Sequence, residues 1–232
     1  MSSYLNKVVL AVSLLTLSSV SQASLITNGS FEQTSLLIKG EVHNTLLSAY
    51  EDKNSTWDIF YDLPGWTTTF GNGIELQKGV VTSSQDGQHH VELDSHMNGS
   101  SNSVMTQSLD SLTVGADYLL EFYYKPRTNT VNDNGINVYW YDTAVEFDWD
   151  MTAVYIADST TKETKNWALQ TVSFTALATS MDLSFASVGK QNTLGGLIDN
   201  VSLVQATSVP EPSTLGVFFA AAFGLFSMRR AK

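Results

Sequence analysis

The sequence predicts an all-β protein, an antiparallel β-sandwich, and three observations support this. Apolar and polar residues alternate over short runs, most clearly in residues 117–125, where every second side chain from Tyr118 to Tyr124 is apolar or aromatic. Asp-Gly and Asn-Gly pairs, which favour tight turns, separate these runs. The long helical patterns that alternate with strands in parallel sheets are nearly missing from the sequence.

Nine segments carry the strand pattern: 73–77, 89–94, 103–109, 117–125, 136–141, 152–157, 167–175, 181–187 and 197–204. In the fifth, we expect Ile136, Val138 and Trp140 to face the core, because they alternate with polar or tyrosine side chains. Residues 34–65 have no clear period, which predicts an insertion or a surface loop. Residues 24–207 together are long enough for one sandwich domain.

The N-terminus carries the pattern of a secretory signal peptide. Lys7 gives a weakly positive start, residues 8–17 form an apolar run, and Ser21-Gln22-Ala23 is a small-residue cleavage site. A permanent membrane anchor is the alternative, but the apolar run is too short for one. We therefore expect residues 1–23 to be removed and the protein to be exported.

The C-terminus has three parts in order: Pro210-Glu211-Pro212, an uncharged apolar run over 215–228, and the basic end Arg229-Arg230-Ala231-Lys232. Spanning a bilayer comfortably takes about 20 apolar residues, so this run is short, and the basic end would stay cytoplasmic. A plain anchor or a buried helix are alternatives. The three-part pattern resembles the PEP-CTERM sorting signal of Gram-negative bacteria that make exopolysaccharide.

This resemblance implies a route for residues 208–232. The tail would form a transmembrane sorting helix that holds the protein in the inner membrane for a time. An exosortase-type enzyme would then cut near Pro210-Glu211-Pro212 and release the protein to the cell surface, or to the exopolysaccharide or biofilm matrix. The short span suits an anchor of this temporary kind.

The net charge of the central region limits the classes of partner that it can bind. The chain has 12 Lys and Arg against 23 Asp and Glu, a net charge of −11. Four of the basic residues and one acidic residue lie in the two terminal signals, so the middle of the chain is more acidic still. This balance argues against nucleic acid as a partner and against docking on anionic lipid surfaces. The chain has no cysteine, so the exported domain has no disulfide to stabilise it.

A second resemblance covers most of the central region. Its pieces are 25–32, Leu63-Pro64-Gly65-Trp66, 86–94, 106–109, 115–122 and 197–203. In this order they resemble the galactose-binding-like jelly roll found in many carbohydrate-binding modules. The resemblance implies a sandwich whose two chain ends pair, with Trp66 in the core. It also implies sugar binding.

In several families of this fold a structural Ca²⁺ joins the first strand to the last. By position, Glu32 and Asp199 match the acidic ligands of that ion, and Asn28 or a nearby backbone oxygen would complete the shell. Calcium requires six to eight oxygen ligands, so these residues supply only part of it. The alternative is that Asn28-Gly29 forms a turn and Asp199 hydrogen-bonds a strand end.

Aromatic residues exceed what one core needs, and sugar rings stack on Trp and Tyr. Trp57, Tyr61, Tyr139 and Tyr141 are the candidates for ligand binding, because they fall in loops or on the non-core face of a strand. Packing within the sheets is the alternative use of such residues. Glu146, Asp148 and Asp150 alternate nearby and could hold a second cation, although such runs are more often solvated.

The function we expect is that of an exported, non-catalytic glycan-binding protein of the cell envelope. One alternative is a small polysaccharide-degrading hydrolase with its catalytic acids among Glu75, Glu92 and Asp94. Another is a purely structural matrix protein that binds no sugar. The sequence contains no catalytic motif that would favour the first alternative.

Overall fold

A computed structural model describes residues 22–34, 52–96, 102–130, 132–158 and 166–206. These residues form two six-stranded sheets in which every paired strand is antiparallel. The strands are β1 (Thr56–Phe60), β2 (Asp62–Leu63), β3 (Trp66–Phe70), β4 (Ile74–Lys78), β5 (His89–Glu92), β6 (Val104–Leu109), β7 (Asp117–Lys125), β8 (Gly135–Asp142), β9 (Tyr155–Ala157), β10 (Ala168–Thr175), β11 (Met181–Val188) and β12 (Leu197–Gln205). Sheet A has the order β1-β4-β5-β12-β7-β10, and sheet B has the order β2-β3-β6-β11-β8-β9. The predicted all-β sandwich is confirmed.

The core lies between the two sheets and follows the predicted alternation. Along β7, Tyr118, Leu120, Phe122 and Tyr124 are buried while their neighbours are half-buried or exposed. Phe122 of sheet A and Phe185 of sheet B meet edge to face, with ring centroids 5.1 Å apart. Burying such rings from both inner faces is the main stabilising contribution of a sandwich core.

The expectation of an irregular stretch over residues 34–65 is wrong for its last part. Residues 56–60 form β1 and residues 62–63 form β2, and β3 follows directly. The pattern is weak here because β1 and β2 are edge strands, and because three successive threonines follow Trp66 in β3. Residues 35–51 lie outside the described residues. The predicted strand over 152–157 also begins later, at Tyr155.

The two ends of the described chain pair, as the resemblance implied. The Leu25 N–H donates to the Leu203 carbonyl at 2.7 Å, and the Val201 N–H donates to the Gly29 carbonyl at 2.9 Å. A Cβ at Gly29 would lie 1.9 Å from the Val201 carbonyl oxygen, so only glycine fits there. The contact falls where the pairing of β12 with β7 shifts register between Asp199 and Ser202.

Both predicted sorting segments fall mainly outside the described residues. These include Pro210-Glu211-Pro212 and most of the N-terminal signal over residues 1–23. Within the part of the chain that the structure describes, no helix has the length and apolar character needed to cross a bilayer. The structures of these two terminal segments therefore remain predictions.

Candidate functional site

The outer face of sheet B, turned away from sheet A, carries a cluster of five aromatic side chains. After β8 the chain packs Phe147, Met151 and Ala153 back against Tyr139 on this face. This aromatic cluster consists of Phe70, Tyr139, Tyr141, Phe147 and Trp149. Ring contacts with centroid distances of 5.1 to 6.2 Å connect all five side chains. The cluster forms a partly exposed apolar surface, in addition to the buried core between the two sheets.

Two open clefts adjoin the aromatic cluster. The first, the Phe70–Trp149 cleft, has a volume of about 450 Å³ and is lined by Phe70, Asn102, Trp149, Val188, Gly189 and Gln191. The second, the Tyr141 cleft, has about 460 Å³ and is lined by Thr69, Tyr141, Thr143, Val145, Glu146, Phe147 and Asp182. Volumes of this size are typical of small-ligand sites.

A row of hydroxyl groups crosses four strands beside the Tyr141 cleft. Thr106 Oγ1 and Ser184 Oγ are 2.7 Å apart, and Tyr141 Oη and Ser184 Oγ are 2.9 Å apart. Thr69 Oγ1 donates to Thr106 Oγ1 and extends the row to β3. Burial raises the pKa of the Tyr141 phenol, so this group stays a neutral donor and acceptor at physiological pH. The arrangement combines aromatic rings with polar oxygens, as a polyhydroxylated ligand needs.

The structure does not bring the four predicted binding aromatics together. Tyr141 lines a cleft, as expected of a contact residue. Tyr139 lies on the predicted non-core face but is only 2% exposed, because Phe147 covers it. In this arrangement Tyr139 supports the surface and presents no ring to a ligand. Trp57 and Tyr61 are exposed, but Trp57 lies on β1 of sheet A and Tyr61 follows β1.

Sequence reasoning missed two aromatics of this surface as binding candidates. Phe70 ends β3, and Trp149 lies between two aspartates in the segment after β8. They are 48% and 37% exposed, respectively, and meet edge to face at 5.3 Å. A large aromatic residue within the acidic run 146–150 was a usable signal for Trp149. The run itself is a turn, in which Asp148 Oδ1 accepts the Asp150 N–H at 3.0 Å.

A second polar site, the sheet-A polar cluster, lies on the outer face of sheet A. It consists of Glu75, Gln77, His90, Glu92 and Arg127. Glu75 and Glu92 face each other across β4 and β5, and Gln77 Nε2 donates to both, at 2.8 and 2.7 Å. Arg127 donates to Glu92 and, at 2.9 Å, to the Thr193 carbonyl. Each carboxylate is thus fixed by several donors, which favours a structural role.

Burial controls the protonation of this cluster. Desolvation, followed by the nearby Glu75 charge, raises the pKa of Glu92 to about 8 against the opposing effect of Arg127. Desolvation also raises the pKa of Glu75. It lowers the pKa of His90 to about 4, with a further decrease from Lys125. The histidine is therefore neutral near pH 7.

Stability should fall as pH rises from 6.5 to 8. The folded pKa values of Glu92, about 8, and of Asp199, about 7, lie above their unfolded values, so the folded state holds protons that the unfolded state has lost. His90 partly opposes this decline just above pH 6.5, because some of the unfolded-state imidazole is still protonated there, and its effect fades by about pH 7.5. One proton corresponds to about 1.4 kcal/mol per pH unit, or about 3 to 6 °C in Tm.

Differential scanning calorimetry across this pH window is the measurement. Glu92→Gln should flatten the decline, whatever its effect on the starting Tm. A Tm that rises with pH, or a slope that Glu92→Gln leaves unchanged, would contradict the assignment.

The acids of the hydrolase alternative are buried. Glu75, Glu92 and Asp94 are 3%, 0% and 0% exposed. All three acids lie among the described residues, and none of them is part of the lining of either cleft beside the aromatic cluster. A glycosidase acid has to reach the glycosidic oxygen. The arrangement therefore gives this alternative little support.

The predicted calcium ligands make other contacts. Glu32 Oε1 accepts the N–H groups of Gln88 and His89 at 2.7 and 2.8 Å, and its Oε2 lies 3.0 Å from His89 Nδ1. Asp199 Oδ2 accepts the N–H groups of Gln85 and Asp86 at 2.7 and 3.0 Å. Both carboxylates thus hold the loop before β5. Asp199 Oδ1 also accepts the Asn200 N–H, so three of the four carboxylate oxygens accept backbone N–H groups.

This donor set fits a cation poorly. Asn28 Oδ1 also accepts a backbone N–H, that of Gln33 at 2.8 Å, and Asn28 itself has a positive φ of 54°, as in a turn. Among the described residues, no group of three or more His, Cys, Asp or Glu side chains could hold a metal ion. These contacts favour the alternative in which Asn28-Gly29 is a turn and Asp199 fixes a strand end.

Calcium remains a prediction that chelation can test. A ligand that binds only the folded state raises Tm, so EDTA should lower Tm if an ion is bound, and excess CaCl₂ should restore it. From the contacts of Glu32 and Asp199 we expect EDTA to leave Tm unchanged. A reversible fall would establish the ion and contradict the hydrogen-bonded alternative.

A comparison with solved structures finds matches to several carbohydrate-binding modules, all at low identity. A module designated CBM61, in complex with β-1,4-galactotriose, is 13% identical, with a TM-score of 0.40 over 80% of this chain and 100% of that one. The CBM22-1 xylan-binding domain from Paenibacillus barcinonensis is 15% identical, with a TM-score of 0.41 over 66% and 95% of the two chains. A structure described as CBM4 is 16% identical, with a TM-score of 0.36 over 78% and 99%.

One curated relative and two family models also match. The Multifunctional-autoprocessing repeats-in-toxin of Vibrio vulnificus is 29% identical over 157 residues, which is 65% of this chain but only 3% of the toxin. Residues 208–231 match the PEP-CTERM protein-sorting motif, which marks the chain as an exported protein with a transient membrane stage. Residues 24–204 match the family described as "Protein of unknown function (DUF642)". Because that match covers most of the chain, the protein belongs to the DUF642 family and ends in a PEP-CTERM sorting motif.

Proposed function

We propose that this protein is a non-catalytic glycan-binding protein of the cell surface or the exopolysaccharide matrix. The observation that carries the proposal is the outer face of sheet B. There the aromatic cluster, two clefts and a row of hydroxyl groups lie side by side. Sugars present an apolar ring face and a rim of hydroxyls, and this surface offers a partner for both.

The sorting route supports a polysaccharide as the ligand. In the proposal, an exosortase-type enzyme cuts near Pro210-Glu211-Pro212 after the inner-membrane stage, and the sandwich then joins the envelope or matrix. Mass spectrometry of the outer fraction tests this step. A protein recovered there with residues 213–232 still attached would contradict the processing.

Glycan binding is tested with the full-length chain, purified in mild detergent, on an array of bacterial and plant polysaccharides. We expect retention on at least one polysaccharide and no release of reducing ends. Retention on none would favour the purely structural matrix protein. Release of reducing ends that Glu75→Gln or Glu92→Gln abolishes would favour the hydrolase.

The four aromatics proposed from sequence enter the same test. Tyr141→Ala should weaken retention, because Tyr141 lines a cleft. Trp57→Ala and Tyr61→Ala report on the other two exposed aromatics, of which Trp57 lies on sheet A and Tyr61 directly precedes β2 of sheet B. Any change with Tyr139→Ala would be indirect, through the position of Phe147.

A further inference from the structure

We propose that the Phe70–Trp149 cleft binds an uncharged sugar ring, and that the acidic segment carrying Trp149 disfavours uronate-containing polysaccharides. This inference rests on the proposed glycan-binding function and makes it more specific, because it names the ligand class and the subsite. Three properties of the cleft support this inference: its exposed aromatic rings, an amide oxygen without a hydrogen-bond partner, and the charges of the surrounding residues.

The rings form a preformed apolar wall. Phe70 and Trp149 are 48% and 37% exposed, yet they hold each other edge to face at an interplanar angle of 89°. Trp149 also contacts Phe147 edge to face, with ring centroids 5.3 Å apart, which restrains it further. Rings held in this way lose little conformational freedom when a ligand covers them. The wall therefore suits the apolar face of a sugar ring.

Asn102 supplies an acceptor beside that wall. Its side chain is only 8% exposed and lines the cleft. The Nδ2 group donates to the Gly189 carbonyl at 3.2 Å, which orients the amide. Its Oδ1 is buried without a hydrogen-bond partner in the described structure. An unsatisfied buried acceptor costs about 1 to 3 kcal/mol. Because Oδ1 has almost no solvent-accessible area, a small shift of the Asn102 side chain has to accompany the approach of a ligand hydroxyl that donates to it.

The charge of the surroundings selects against acidic sugars. Among the described residues that line the cleft, the polar side chains are the amides of Asn102 and Gln191, and none is charged. Asp148 and Asp150 flank Trp149 in sequence and are exposed. The cation nearest in sequence to the lining residues, Lys190, forms an ion pair with Asp133 at 3.7 Å. In the proposal, a uronate carboxylate beside Trp149 would lie close to these two carboxylates, and the half-exposed Lys190 is already paired with Asp133.

The ligand test uses binding titrations of the full-length chain in detergent. The neutral probes are galactan, xylan and mannan, and the acidic probes are polygalacturonate and alginate. We expect at least one neutral probe to bind more tightly than either acidic probe at low salt. Salt of about 0.5 M should narrow the difference, because it screens exposed charges. An acidic probe that binds as tightly as the best neutral one would overturn the inference.

The site test compares matched tryptophans. Trp149→Ala and Phe70→Ala should each weaken neutral-glycan binding by about 10-fold or more, as is typical of a buried aromatic contact. Trp57→Ala is the control, because Trp57 is similarly exposed, at 41%, but lies on sheet A. Tm is measured for each variant to confirm folding. If Trp57→Ala removes binding while Trp149→Ala does not, the inference is wrong.

The charge test uses Asp148→Asn with Asp150→Asn. Asparagine at 148 retains the side-chain oxygen that accepts the Asp150 N–H, so the turn should persist. We expect binding of polygalacturonate to improve by roughly two- to fivefold, with neutral binding unchanged. No improvement would overturn the electrostatic part. Retention on no glycan at all would remove the proposed function as well, whereas binding that ignores Phe70 and Trp149 would remove only this inference.

Discussion

Arg127→Met is expected to lower the free energy of unfolding by about 3 to 5 kcal/mol, as is typical when one partner of a buried ion pair is removed. Glu92 is fully buried and already faces Glu75. Arg127 is the cation that contacts it and also binds the Thr193 carbonyl, at 2.9 Å. Without the guanidinium, the folded state must either protonate Glu92 or keep Glu75 and Glu92 as two neighbouring carboxylates without the favourable interaction with Arg127. Equilibrium urea unfolding at pH 9, above the folded pKa of Glu92 of about 8, measures the change.

A neighbouring cation provides the control. Lys125→Met removes a hydrogen bond to Thr82 Oγ1 of 2.6 Å and a contact with the Trp167 ring, so we expect a loss of about 1 kcal/mol. Adding Glu92→Leu to Arg127→Met should recover much of the stability, because the unpaired charge is then gone. Equal losses for Arg127→Met and Lys125→Met would contradict the importance of the ion pair.

Phe185→Ala is expected to destabilise the sandwich by a similar amount, about 3 to 5 kcal/mol. The ring is fully buried on β11 and lies 5.1 Å from Phe122 and 6.0 Å from Trp66, between centroids. It thus connects both sheets, and its removal leaves a cavity that rigid strands cannot close. Urea unfolding also measures this change.

A graded series tests the cavity explanation. Phe185→Leu retains most of the volume and should cost less than about 1.5 kcal/mol if the core repacks. Leu177→Ala changes a side chain that is 76% exposed and should stay within about 0.5 kcal/mol of the parent. A loss at Leu177 as large as that at Phe185 would show that burial does not determine the effect.

The sequence predicted the fold wherever a strand has one buried and one open face. β7 and β12 alternate clearly, and residues 117–125 have the predicted bounds. β1, β2 and β3 were missed because pairing and burial at the margin of a sheet depend on neighbours that are distant in sequence. Their side chains show no regular contrast between the two faces.

The candidate site was less predictable than the fold. Phe70 and Trp149 are 79 positions apart in sequence and meet only because β3, β6, β11 and β8 are successive neighbours in sheet B. The pairing of Glu75 with Glu92 likewise depends on the register of β4 with β5. Composition indicated surplus aromatics and acids, but the choice among them required the strand order.

The position of β12 affects how the domain can fold during export. This strand is the last one in the described chain, yet it lies between β5 and β7 in the interior of sheet A. It also receives the N-terminal segment through the Leu25 and Gly29 hydrogen bonds. Sheet A therefore cannot close until nearly the whole domain has crossed the membrane. Only then do the first and last segments of the described chain come together, so sheet A is completed late in export.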